Sequence, residues 1–178
     1  MSAIPPMHRC SAMTSSNDSV DVALRVRGIS SVEAGRIWQG GLDANGQLPL
    51  HRAAQGMANP CRHCLSLIAP GGSKLVLAHR PFAQLQPYAE TGPIFLHDQP
   101  CQHYDQAQLP AWFAYLEPAI VRGYGSDDWI RYDTGQVVPG KALTAVCQQI
   151  LSDPSVAYVH IRSKFNCFQC RVERASVG

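Results

Sequence analysis

Two cysteine couplets constrain this chain more than any other feature. Cys61-Arg62-His63-Cys64 is followed, about a hundred residues later, by Cys167-Phe168-Gln169-Cys170. Two C-x-x-C units read as four thiolates around one ion, because a structural zinc is tetrahedral and thiolate is among its preferred ligands. Zinc on Cys61, Cys64, Cys167 and Cys170 would clamp the middle of the chain to its C-terminal end. Two features oppose that arrangement. Neither couplet has a glycine after its second cysteine to turn the backbone. The second couplet also runs into an expected strand, where side chains alternate faces and Cys167 and Cys170 would point opposite ways. The plainer alternative is that the cysteines are small apolar fillers.

The remaining composition fits a folded chain, with 46% hydrophobic and 16% charged residues over 178 positions, long enough for one domain with a real core. Residues 1–19, rich in Ser, Pro and Met, read as a disordered tail with no apolar segment of the signal-peptide kind. The seven cysteines are therefore expected as reduced thiols in the cytoplasm. No apolar run is long enough to span a membrane. A net charge of +2 gives no general reason to expect nucleic acid as a partner; no other partner and no oligomeric state follow from the sequence. Arginines outnumber lysines twelve to three, which favours fixed pairing with carboxylate or phosphate.

Residues 20–178 read as a single α+β domain, mainly antiparallel sheet with two or three helices. Val20 to Ile29 alternates as a strand. Ser30 and Glu33 form a capping box ahead of a short helix to about Trp38. Residues 47–60 read as irregular. Strands are expected at Leu65–Ile68, Lys74–Arg80, Pro93–His97, Ala119–Tyr124, Trp129–Asp133, Val156–Ile161 and Cys167–Glu173. Helices are expected at Leu109–Leu116 and, more strongly, Lys141–Leu151.

Several motifs compete for a function. Gly135-Gln136-Val137-Val138-Pro139-Gly140-Lys141 spells a phosphate loop, but Ala142 stands where a Ser or Thr must hold magnesium, and Pro139 lacks an N–H donor. Cys61–Cys64 resembles a thioredoxin motif only in isolation, since Pro70-Gly71-Gly72 stops any long helix after it. His97, Asp98, Cys101 and His103 cluster straight after a strand, where they could supply a fourth metal ligand or a Cys–His dyad. Arg162, Lys164, Arg171 and Arg174 lie near Phe165 and Phe168 and could hold an anionic ligand.

Pro60-Cys61-Arg62, Pro87-Tyr88, Gly92-Pro93-Ile94-Phe95, Tyr158-Val159-His160 through Cys167, and Arg171-Val172-Glu173-Arg174 together resemble the bacterial domain-of-unknown-function 1203 family. The resemblance covers about residues 20 to 175. It implies no activity. It singles out Cys61 and Cys167, to which Cys64 and Cys170 would be additions completing a four-thiolate site. It also singles out Arg62, Tyr88 and His160.

Three readings remain open at this point. One is a non-catalytic binding or scaffold module with a structural zinc on the two couplets. Another is an enzyme using the thiolate of Cys61 or Cys101 with His160 or His97 as base, and Arg62, Tyr88, Arg162 or Arg171 as ligand-binding groups. The last is a redox sensor whose couplets form disulfides.

Overall fold

The computed structural model describes residues 22–175; the expected tail and Val20 lie outside them. Eleven elements carry the fold among the described residues, in the order β1 (Leu24–Arg27), α1 (Ser31–Trp38), β2 (Leu50–Ala53), β3 (Ser73–His79), β4 (Gly92–His97), β5 (Asp105–Gln106), β6 (Ala119–Tyr124), β7 (Ile130–Val138), α2 (Leu143–Leu151), β8 (Tyr158–Ser163) and β9 (Phe168–Arg174). A 3-10 helix at Ala111–Tyr115 replaces the α-helix expected there, and a 3-10 turn at Gly140–Ala142 leads into α2. Mostly antiparallel sheet with two α-helices matches the α+β expectation.

The strands form a six-stranded sheet, β5-β1-β9-β8-β6-β7, and a three-stranded sheet, β2-β3-β4. All paired strands in both sheets run antiparallel. Alternation sorts the large sheet into two chemically different faces. Leu24, Val26, Val121, Val159, Ile161, Cys170 and Val172 share one apolar cluster with Leu143, Cys147 and Leu151 of α2. That helix, amphipathic as its spacing suggests, packs on β6, β8 and β9. The residues between them in sequence, Arg25, Arg27, Arg122, Tyr158, His160, Arg162, Arg171 and Glu173, take the other face.

Helix α1 forms where its capping box promised. Ser30 is the N-cap and its hydroxyl accepts the Glu33 N–H, a bond worth about 1 kcal/mol to a helix this short. Ala34 and Ile37 are its buried face, in a second apolar cluster with Ile68, Leu75, Leu77, Ile94, Leu96 and Phe168. That cluster lies under the small sheet and also contains Cys61.

The two largest departures from the sequence reading are local. Strand β2 falls within the stretch expected to be irregular, because its four residues are all exposed and show no alternation. The expected strand Leu65–Ile68 is instead one side of a tight loop closed by a single Pro60–Leu67 bridge. The phosphate-loop look-alike is also resolved: its first four residues, Gly135 to Val138, are the end of strand β7. No described helix is long and apolar enough to cross a membrane.

Candidate metal centre

The loop that carries Cys61 and Cys64 is built by its backbone. The Cys61 N–H donates to the Ser66 carbonyl and the Ile68 N–H to the Asn59 carbonyl, so the chain doubles back within six residues. The reversal is completed by Leu65, whose φ is 54°. A left-handed residue usually costs something unless it is glycine. Here the Leu65 side chain is buried in the main core, and its burial offsets that cost. The glycine whose absence counted against a metal loop is therefore replaced by an anchored leucine.

The loop is seated against two neighbours. Cys61 forms an isolated parallel bridge with Phe95 of β4, and the Arg62 N–H donates to the Phe95 carbonyl at 2.9 Å. On its other side the Arg62 carbonyl accepts from Ile29, and the His63 carbonyl accepts from Tyr104. Gly28 lies so close that a Cβ at that position would sit 2.2 Å from the His63 carbonyl oxygen. Side chains larger than hydrogen are excluded there.

This seating brings the end of β4 to the loop. His97 is the last residue of β4 and Cys101 follows a bend four residues on. Cys61, Cys64, His97 and Cys101 each offer one ligand atom, and all four atoms lie within 4.8 Å of one another. Two of the separations are informative. The Sγ atoms of Cys61 and Cys101 are 3.8 Å apart, and Cys64 Sγ is 3.5 Å from His97 Nδ1. Tetrahedral zinc with Zn–S near 2.3 Å and Zn–N near 2.05 Å requires edges of about 3.8 Å for S···S and about 3.6 Å for S···N. The donor types and both opposite edges therefore fit a Cys3His zinc site.

The sulfurs have polar neighbours beyond the four candidate ligands. The His97 backbone N–H points at Cys61 Sγ at 3.4 Å. His63 places Nδ1 3.3 Å from Cys101 Sγ and its Nε2 3.0 Å from the Ser31 hydroxyl. Outer partners of this kind orient ligands and tune a metal. Trp38 Nε1 donates to the His97 carbonyl and fixes the strand end. Among the thiols themselves, Cys61 and Cys64 shift in opposite directions. The hydrogen bond from Cys61 lowers the Cys64 thiol to about 4, against the effect of burial, and raises that of Cys61. Burial, then the charge on Cys64, pushes Cys101 up to about 11.

The four-thiolate arrangement is corrected. Among the described residues, Cys167 and Cys170 do not belong to the group that could share an ion. Cys170 is fully buried beside Cys147 in the apolar core under α2. Cys167 sits just before β9 and lines a separate, largely apolar cleft with Phe165, Tyr115 and Trp112. Cys167 lies outside β9, past a register shift in the β8–β9 pairing at Ile161 and Arg162, which carries it away from the core position of Cys170. The six described cysteines are free thiols, with no inter-couplet disulfide.

What joins the couplets is Arg62. Its guanidinium donates to the Pro60 carbonyl and, at 2.5 Å, to the Phe168 carbonyl, one bond on each couplet's segment. Burial lowers its pKa to about 10, opposed by the nearby thiols of Cys167, Cys61 and Cys170; the side chain stays cationic at neutral pH. Arg62 is thus an internal tie.

The other candidates scatter. Tyr88 is hydrogen-bonded to Tyr132 through their hydroxyls, away from the thiols. Arg162 pairs with Glu90 at 3.2 Å. His160 does not reach Cys61: its ring packs among Phe82, Tyr124, Tyr158 and Phe168. Arg171 lies over the Tyr158 ring at 3.6 Å. His97 and Cys101, which the sequence offered as a further ligand source, are the residues that the structure adds to the first couplet.

A family model described as "Protein of unknown function (DUF1203)" matches residues 58–174. The chain belongs to this family. The match spans all four candidate ligands of the DUF1203 chain and stops short of β1 and α1, against which their loop is seated. No curated protein and no solved structure matches it.

Proposed function

We propose that this DUF1203 protein binds one zinc ion through Cys61, Cys64, His97 and Cys101, and that the ion is structural. The observation that carries the reading is the set of four protein ligand atoms within 4.8 Å of one another. Structural zinc is closed by four protein ligands, whereas catalytic zinc keeps a position for water. The donor set, three soft thiolates and one imidazole, also favours zinc over magnesium or calcium. The ion would pin the Cys61–Cys64 loop to the end of β4 and couple the small sheet to the loop beneath α1. In this reading the protein is a non-catalytic binding module of the reducing cytoplasm.

The test is metal content of protein purified without chelator. One zinc per chain is expected, lost in Cys64→Ser and in His97→Ala. Protein with no metal and a Cys61–Cys101 disulfide, seen by mass spectrometry of trypsin fragments, would replace the zinc reading with a redox one.

A further inference from the structure

The face of the large sheet that turns away from α2 contains an unusual row. Arg27 of β1 is opposite Arg171 of β9, Arg171 is opposite His160 of β8, and His160 is opposite Arg122 of β6. Four basic side chains thus stand side by side across four adjacent strands. Like charges directly opposite each other on a sheet are destabilising. Glu173 relieves part of this by pairing with Arg27 and Arg171, and Glu90 pairs with Arg122.

Arg27, His160 and Arg171 floor a cleft of about 680 Å³, which α1 and the end of β3 wall in. That volume suits a small molecule. Glu33 and His79 face each other across it. Glu33 lies in the first turn of α1, with its N–H on the Ser30 hydroxyl and its carboxylate paired with His79 Nδ1 at 2.8 Å. The His79 side chain is only 3% exposed, and the carboxylate takes its Nδ1 and leaves the buried Nε2 without a partner.

Interiors leave few buried polar atoms without a partner. Here Arg27 Nε, His79 Nε2 and both ring nitrogens of His160 are buried with no hydrogen-bond partner among the described residues, and all three residues line this one cleft. Burial, then the charges of Arg162, Arg171, His79 and Arg122, holds the His160 imidazole neutral, leaving it one N–H and one lone pair. Arg80 also lines the cleft, and no carboxylate among the described residues pairs with it. Ile37, Leu77, Phe82 and Phe168 supply apolar wall.

We propose that this cleft is a binding site for a small organic anion, a carboxylate or phosphate on an apolar body. Arg80 and Arg171 hold the charged group, and the His160 ring and His79 Nε2 meet its polar atoms. The apolar body lies against Phe82 and Phe168. The site shares none of the four candidate metal ligands, while Gly28, Ile29 and His103 of its lining also touch the Cys61–Cys64 loop.

The experiment is calorimetric titration and thermal unfolding of the full chain with three probes at matched ionic strength: benzoate, phenyl phosphate and inorganic phosphate. At least one of the two organic anions is expected to bind and to raise the unfolding temperature at about 10 mM. The better of the two assigns the site to carboxylates or to phosphate esters, and inorganic phosphate alone should bind more weakly. Arg80→Gln and His160→Leu should each weaken binding roughly tenfold or more, in keeping with charge-assisted hydrogen bonds. His160→Leu should also unfold no earlier than wild type without ligand, because it removes two unpartnered polar atoms from an aromatic cage; a histidine of purely structural value would lower that temperature. Zinc content measured on each variant separates this result from damage to the metal centre. The proposal is overturned if neither organic anion binds, or if binding survives unchanged in both variants.

Discussion

The two couplets have the same spacing and opposite fates. Cys61 and Cys64 sit on a loop whose backbone is reversed by its own hydrogen bonds and by the left-handed Leu65, so both sulfurs reach the same point. Cys170 sits in β9 and is sealed in the core, whereas Cys167 lies just before the strand and faces a surface cleft. The difference shows that C-x-x-C is a chelate only when the backbone curls between its cysteines. In the second couplet the chain enters a strand through a register shift, and the two thiols end in different places. It also shows how a chain can place two couplets close to one buried arginine without a shared ion, since Arg62 bonds to both segments directly.

Replacing the cysteines one at a time would test this contrast most severely. Cys64→Ser should take the bound metal from one ion per chain to none, while Cys170→Ser and Cys167→Ser should leave it at one; elemental analysis of the purified variants decides it. If either of the latter variants lost metal, the comparison would fail.

The thiols should next differ in reactivity by orders of magnitude. In chelator-treated protein, Cys64 is held as a thiolate by Cys61. Its alkylation rate should therefore stay flat between about pH 6 and 9, well above its own titration. Cys170, whose thiol burial raises well above its ordinary value, should react only when the protein unfolds. Peptide mapping after iodoacetamide reads both rates, and a Cys64 rate that climbs tenfold per pH unit would contradict the lowered Cys64 thiol.

Stability should separate the second couplet internally. Cys170→Ser places a hydroxyl in an apolar core and should cost about 1–3 kcal/mol in a denaturant titration. Smallest of all, Cys167→Ser should stay within about 0.5 kcal/mol of wild type, as for other partly exposed positions. Equal costs at the two positions would mean that the strand does not divide them.

Much of the fold was legible wherever a local rule and the tertiary structure agreed. Ser30 and Glu33 announced α1, the apolar face of residues 143–151 announced α2, alternation announced β1, and short apolar runs announced β3, β4 and β8. Strand β2 escaped because all four of its residues are exposed, and β5 because two residues carry no periodicity. The site was legible in halves. Cys61 and Cys64 stood out by spacing, and His97 and Cys101 by crowding after a strand. Their union depends on the Cys61–Phe95 bridge between segments more than thirty residues apart, and pairing of that kind leaves no mark on either segment. The same crowding signal had no counterpart for Glu33, His79 and His160, which three separate elements bring to one cleft.

Gly28 has a bearing on how much of the chain packs against the loop. It lies outside the stretch shared with the family, residues 58–174, yet it is the position on which the His63 carbonyl rests without room for a methyl group. A chain trimmed to the shared stretch would carry all four candidate metal ligands. It would lack the floor beneath their loop and the strand that stands between β5 and β9. The matched stretch is therefore shorter than the set of residues that packs against the loop, and a side chain introduced at Gly28 should disturb the loop as directly as a change within it.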